Sequence, residues 1–311
     1  MQVAPGLEQE LEQYRGELTA YCYRMLGSGF EAEDAVQDAF IRAWRGIDRF
    51  EGRAALRSWL YKIATNVCLD MLKSRERRAR PMDLGPSQEP LLELANIHPD
   101  EIWLEPMPDP ADAAVEREGV RLAFVSALQN LPPRQRAALI LCEVLKWQAT
   151  EVAELLETSV ASVNSALQRA RATIGERDMS APAPLDAETR ALLERYIAAF
   201  EEYDVDKLTA LLREDAIQSM PPYDLWLSGR DDLMTWWFGP GIGCEGSKLL
   251  YYGTVNGGYP AYAQYKPGEN GLEPWALQVI DLSADGVAEL TFFIDTGTLF
   301  KRLGLPERLD A

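Results

Sequence analysis

Apolar residues recur at three-to-four spacing near the start of the chain: Leu7, Leu11, Tyr14, Leu18, Tyr21, Cys22 and Met25, before Gly27 and Gly29 interrupt the pattern. That period predicts an amphipathic helix stopped by glycine. A second helix is predicted over 31–44, with Ala35, Ala39 and Ile41 inward and Glu31, Glu33, Asp34, Gln37 and Asp38 forming an acidic face. After the loop RFEGRAALRSW a third helix is predicted over 56–80. Periodicity resumes near Ala113, runs through Val120, Phe124 and Leu128, and breaks at Leu131-Pro132-Pro133, where Pro133 suits the first turn of a helix. The segment 150–156 then places Val152, Leu155 and Leu156 inward, Glu157-Thr158 reads as a turn, and Ser159 can cap a helix whose buried stripe is Val160, Val163, Leu167 and Ile174. Four helices fit 113–176. Beyond SAPAPLDAE the texture changes to one amphipathic helix followed by aromatic, glycine-punctuated strands, an α+β pattern.

Between the helical stretches, from Pro81 to Pro110, the chain is rich in proline and acid (Asp83, Glu89, Glu93, Asp100, Glu101, Glu105, Asp109), the composition of a linker. With 311 residues, two or three compact units are expected rather than one. No run of about eighteen uncharged apolar residues occurs, and MQVAPGLEQELEQYRGEL has no basic-then-apolar leader, so a cytoplasmic protein that does not engage a membrane is expected. Cys22, Cys68, Cys142 and Cys244 form no CxxC pair and His98 is the single histidine, so neither a metal nor a cofactor is expected.

The net charge of -18 argues against nucleic acid as a partner until its distribution is considered. Lys73, Arg75, Arg77, Arg78 and Arg80 cluster at the end of the third helix, opposed only by Glu76. A solvated helix end would have the same composition. The helix after Ser159 turns Ser162, Asn164, Ser165, Gln168, Arg169 and Arg171 outward, hydrogen-bonding and cationic groups suited to base edges and phosphates in a major groove. The pattern is that of a helix-turn-helix, although plain helical hairpins share it.

Several stretches together resemble the extracytoplasmic-function (ECF) group of the sigma-70 family. AEDAVQDAFIRAWRGIDRF is similar to that family's region 2.2, RSWLYKIATNVCLDMLKSRERR to regions 2.3 and 2.4, and LPPRQRAALILCEVLKWQATEVAELLETSVASVNSALQRARATI to region 4. WLEPMPDPADAAVEREGVRLAF and TSVASVNSALQRARATI resemble the subgroup with a C-terminal SnoaL-like domain. The resemblance implies a multidomain chain: a region 2 helical bundle (1–80), an acidic linker (81–112), a region 4 helix-turn-helix domain (113–176), a short linker (177–186) and an α+β SnoaL-like cone with a curved mixed sheet (187–311). It implies a factor that binds core RNA polymerase through the beta-prime clamp helices and the beta flap, and directs recognition and opening of promoter DNA at -10 and -35 elements, with no catalytic residue.

By the same resemblance Asp34, Gln37, Asp38 and Phe40 would contact polymerase. Arg53, Arg57, Trp59 and Asn66 would capture an unstacked base at the -10 element, where stacking and an exposed edge are what an extruded base needs. Trp59 suits the core at least as well. Lys73, Arg75, Arg77 and Arg78 would neutralise phosphates there. At the -35 element Arg169 and Arg171 would touch phosphates, with Ser162, Asn164, Ser165 and Gln168 near bases. The chain departs from the family in carrying Glu157 where the turn often has glycine, and Asn164 and Ala166 where cations are frequent. Fewer cations imply weaker upstream affinity. The acidic linker would lie near template and nascent RNA, though a plain tether has the same composition.

The C-terminal stretch resembles a SnoaL-like domain through ALLERYIAAFEEYDVDKLTALLREDAIQSMPPYDLWLSGRDDLMTWW, KLLYYGTVNGGYPAYAQYKP and PWALQVIDLSADGVAELTFFID. Trp226, Trp236, Trp237, Tyr252, Trp275 and Phe292 would be core or line a pocket, and the domain would modulate activity through a small hydrophobic ligand or through intramolecular contact. Enzymes of that fold use an acid helped by histidine. Here no histidine occurs, leaving Asp215, Asp224, Asp281 or Asp295. Two other readings stay open: a ligand-sensing helix-turn-helix regulator that binds operators unaided, and a SnoaL-like isomerase or hydrolase fused to a DNA-binding arm.

Overall fold

The computed structural model describes residues 7–47, 56–74, 77–90, 97, 102–109, 121–175, 186–239, 243–269 and 271–309. The chain divides into two compact units, Met1–Arg78 with Leu104–Ala181, and Ala79–Trp103 with Pro182–Ala311. The segment between the two helical stretches is therefore shared: it leaves the first unit after Arg78 and returns to it at Leu104.

Unit 1 begins with α1 (Leu7–Glu12), α2 (Arg15–Leu26), α3 (Gly29–Gly46) and α4 (Leu56–Met71). The first apolar run is thus two helices, broken at Gln13-Tyr14. Gly27 ends α2 at φ +77, its N–H donating to the Tyr23 carbonyl at 2.8 Å, and Ser28 starts α3 by accepting from the Glu31 N–H at 3.1 Å. On α3 the buried face is Ala32, Ala35, Val36, Ala39 and Ala43, small residues that let neighbouring helices approach. Ile41, expected inward, is 43% exposed. Two residues past Ala39, it points to the opposite side of a 3.6-residue helix.

Helix α4 buries Leu60, Tyr61, Ala64, Val67 and Cys68 but does not reach residue 80. It tightens into a 3-10 turn at Leu72–Ser74, and Arg78, 5% exposed, pairs with Glu31 at 2.8 Å and Glu105 at 3.7 Å. A buried guanidinium needs polar partners, and Glu31 and Glu105 supply them here, off the helical path. The short α5 (Pro81–Leu84) follows in unit 2.

The second helical stretch of unit 1 comprises α6 (Leu122–Gln129), α7 (Pro133–Leu139) running into a π-turn at Ile140–Val144, α8 (Ala149–Leu155) and α9 (Val160–Ile174). These agree with the four predicted helices, while the stretch around Ala113 and Val120 lies outside the described residues. The α9 stripe is Val163, Leu167, Ala170 and Ile174; Val160, at the first turn, is 38% exposed.

Unit 2 contains α10 (Ala187–Glu201), α11 (Val205–Leu211), β1 (Leu212–Ser219), β2 (Trp226–Ser228), α12 (Arg230–Phe238), β3 (Lys248–Val255), β4 (Tyr259–Gly268), β5 (Gly271–Ser283), β6 (Gly286–Phe293) and α13 (Thr296–Arg302). The strands form one sheet in the order β2-β1-β6-β5-β4-β3, antiparallel except for the parallel pair β1–β6. Tyr196 and Phe200 of α10, and Leu233 and Trp236 of α12, pack with Ala276, Ile280, Leu290 and Phe292 of the sheet into one core. The result is the expected α+β cone with a mixed sheet.

Candidate nucleic-acid interface

On α9 the residues expected to face outward do so: Ser162, Asn164, Ser165, Gln168, Arg169 and Arg171 are all exposed. Ser159 fixes the start of the helix by accepting from the Ser162 N–H at 3.2 Å, and Arg134 secures the preceding helix by donating to the Leu156 carbonyl at 3.3 Å. Arg171 is held by Glu143 of the π-turn, so it presents a partly neutralised charge.

The groups expected at the -10 element are dispersed. Asn66 is exposed on α4. Arg57, expected beside it, is clamped by Glu17 of α2 (Nη2 to Oε2 2.7 Å) and lies over the rings of Tyr61 and Trp147 at 5.2 and 5.6 Å. Trp59 packs near Gly46, where an added Cβ would approach its ring to 3.3 Å, a packing role. Lys73 is exposed and pairs with Asp70 at 2.7 Å, while exposed Arg77 donates to the Asn130 side chain. Arg78 is interior, as described above, and is not part of an exposed basic strip. Arg53 and Arg75 lie outside the described residues.

On the acidic face, Asp34 and Gln37 are exposed, Asp38 pairs with Arg42 at 2.8 Å, and Phe40 is 8% exposed under the Arg15 guanidinium at 4.9 Å. Gln37 and Phe40 border a groove of about 400 Å³ that also involves Leu11, Ile41 and Trp44.

The profile for Sigma-70 region 2 matches residues 11–78 and that for Sigma-70, region 4 matches residues 121–174. The ECF RNA polymerase sigma factor SigG of Mycobacterium tuberculosis is 44% identical over 310 residues, spanning 96% of this chain and 83% of that protein. The chain belongs to the ECF sigma factors of RNA polymerase. SigW of Bacillus subtilis, also an ECF sigma factor, is 30% identical over 158 residues, 51% of this chain and 81% of its own. The crystal structure of the Mycobacterium tuberculosis ECF sigma factor SigJ shares the fold, with a TM-score of 0.58 at 23% identity over 96% of this chain and 99% of that one. The operator-binding reading gives way to a promoter-recognition sigma factor, since both sigma regions are present in order.

In this sigma factor two features had no sequence signal. The first is a notch at Gly27-Ser28-Gly29, where the chain returning from unit 2 docks. Glu105 N–H donates to the Gly27 carbonyl at 3.0 Å, Tyr23 Oη donates to the Glu105 carbonyl at 3.0 Å, and the Ser28 hydroxyl donates to the Glu105 carboxylate. A Cβ on Gly29 would lie 2.7 Å from the Pro106 carbonyl oxygen, so only glycine leaves room. The GSG string reads as a helix stop in sequence; its second use depends on residues far along the chain.

The second is the polar interior of unit 2. Tyr196 Oη donates to Gln278 Oε1 at 3.3 Å, Gln278 Nε2 to Gln264 Oε1 at 2.9 Å, and Gln264 Nε2 to Ser247 Oγ at 3.1 Å. Trp237 Nε1 donates to Gln218 Oε1 at 2.6 Å. Among the described buried residues of this unit the polar ones are amides and hydroxyls, none of them Asp, Glu or Lys. Asp215 pairs with Arg213 at the surface, Asp295 caps α13, and Asp224 and Asp281 are half-buried. Of the six aromatics expected as core or pocket lining, Trp236 and Phe292 are core, and Trp237 and Trp275 pack against it. Trp226 and Tyr252 lie on β2 and β3, the opposite edges of the sheet. Lys266 Nζ sits 3.7 Å from the Trp275 ring centroid. No helix among the described residues is long and apolar enough to cross a membrane, and no cluster of metal-binding side chains occurs among them.

Proposed function

We propose that this sigma factor places α9 in the major groove at the -35 element, reads the -10 element with the exposed face of α4 around Asn66, and docks on the clamp helices of polymerase through Asp34, Gln37 and the groove beside Phe40, with region 4 on the beta flap. It works in the cytoplasm, needs no cofactor, and unit 2 regulates it without catalysis. Proton-transfer chemistry needs an ionisable group in a shielded site, and the interior of unit 2 offers a chain of mutually satisfied amides instead.

The regulatory reading is carried by one observation: the first part of the connection between regions 2 and 4, Ala79–Trp103, belongs to unit 2. Gln88 N–H donates to the Trp226 carbonyl at 3.0 Å and its side-chain amide to the Asp224 carbonyl at 3.3 Å, while Trp226 Nε1 donates to the Gly85 carbonyl at 3.0 Å. Arg80 pairs with Glu289 of β6 at 3.6 Å, and Ala79 N–H donates to the Ile102 carbonyl at 2.7 Å. Whatever stabilises or loosens unit 2 thereby sets the effective length of the tether joining regions 2 and 4, a coupling free energy in the thermodynamic sense. Run-off transcription with core polymerase, comparing the full chain with one ending at Asp178, tests this. Initiation that requires the chain and changes in yield on truncation supports the reading; equal yields from both forms would remove the regulatory role of unit 2.

A further inference from the structure

Unit 1 holds its helix-turn-helix against the helix that carries Asn66, and the contact is made where the backbone is least comfortable. Trp147 follows Lys146, whose φ is +58, and its ring centroid lies 5.1 Å from that of Tyr61 on α4. Glu157, in the turn between α8 and α9, has φ +51, and its carboxylate is 2.8 Å from Lys62 Nζ on α4. Left-handed backbone is disfavoured for any residue with a Cβ and would be relaxed by glycine. The chain instead puts a carboxylate at the strained position that touches α4.

Lys62 lies four residues before Asn66, so the two share one face of α4. A carboxylate on Lys62 occupies ground that a DNA phosphate would take if Asn66 were reading a base. The promoter elements are about 25 base pairs apart by their own numbering, roughly 85 Å at 3.4 Å per pair. A unit in which the helix-turn-helix touches α4 cannot span that distance, so the contact must part before both elements are engaged.

We infer that Glu157 is an internal stand-in for promoter phosphate: in the polymerase-free chain the turn of the helix-turn-helix closes on α4, Glu157 neutralises Lys62, and Trp147 covers Tyr61 and Arg57. On opening, Lys62 is released to contact a phosphate beside the -10 element. This rests on the promoter reading above. Lys62 and Glu157 side chains are 39% and 73% exposed, so the ion pair alone shifts the open–closed balance by no more than about fivefold, with the Trp147–Tyr61 contact and the buried Arg136, which bonds carbonyls of both α2 and the α6–α7 corner, holding the closed form besides.

The test uses the full chain with one fluorophore on α3 and one on α9, read by single-molecule energy transfer, alongside promoter-fragment binding and run-off transcription. Glu157→Gly, which removes the carboxylate and relaxes the turn, should raise the open population roughly two- to fivefold and tighten unaided binding of the fragment. Lys62→Glu combined with Glu157→Lys should restore the wild-type distance distribution while leaving transcription with polymerase depressed. An unchanged distribution in Glu157→Gly would overturn the latch, and recovery of transcription in the reversed pair would overturn the phosphate role of Lys62. Failure of the unmodified chain to support any run-off transcription is a separate result, and would overturn the promoter reading on which the inference rests.

Discussion

Arg136 is 4% exposed, and its guanidinium donates to the carbonyls of Met25, Gln129 (3.2 Å) and Leu131 (3.2 Å) and to Gln129 Oε1 (2.5 Å). Burial pushes it down to about 10, so it remains charged at neutral pH while solvated by oxygens from two different segments. Those oxygens belong to α2 of region 2 and to the α6–α7 corner of region 4, so this one side chain ties the two regions together. Arg136→Ala leaves several buried acceptors without a donor and should destabilise unit 1 by about 3 kcal/mol. The urea midpoint of its unfolding transition is the measurement, and Arg136→Lys, which keeps a donor, should recover part of the loss. A midpoint unmoved by Arg136→Ala would show that water replaces the guanidinium freely.

At the scale of elements, the proposed placement of α9 at the -35 element gives its neighbouring side chains different tasks. On α9, Gln168 carries an amide that can read a base edge, whereas Arg169, one residue on, carries only charge. Gln168→Ala should therefore relax preference at one or two -35 positions at about 1–3 kcal/mol each. Arg169→Ala should weaken every promoter alike and reduce the salt slope by about one counterion. Selection from randomised -35 sequences at two salt concentrations separates the two. Identical selected sequences for Gln168→Ala and wild type would place that side chain off the bases.

Element by element, the sequence was readable where local spacing sets the outcome. The helix-turn-helix, the Ser159 cap and most of the α9 stripe follow from periodicity, and Val160 misleads because a first-turn position can face solvent. The end of α4 was not readable. Five cations between 73 and 80 look like one basic strip, yet Arg78 turns inward because Glu31 and Glu105 wait for it, and no local window contains all three. The clamp on Arg57 was unreadable for the same reason, since its partner Glu17 is on α2 and its ring neighbour Trp147 in region 4. Aromatic composition in unit 2 left core and pocket lining both open, and strand order, which sends Trp226 and Tyr252 to opposite sheet edges, is not written in any local window.

For the whole molecule, the order of units along the chain is less informative than the path between them. An acidic, proline-rich segment reads as a tether because nothing local could fold it, and within unit 2 it gains partners from residues more than a hundred positions away. Its order is borrowed from β2 and β6, and the bonds that lend it are backbone and amide contacts that the isolated segment cannot make. Removing residues 182–311 should then raise amide hydrogen exchange across 79–90, while α2, α3 and α4, whose cores are internal to unit 1, keep their protection. Mass-spectrometric exchange on the full and shortened chains reads both at once. Protection of Gln88 that survives the truncation would mean that the segment holds its own structure, and unit 2 would then have no lever on the distance between regions 2 and 4.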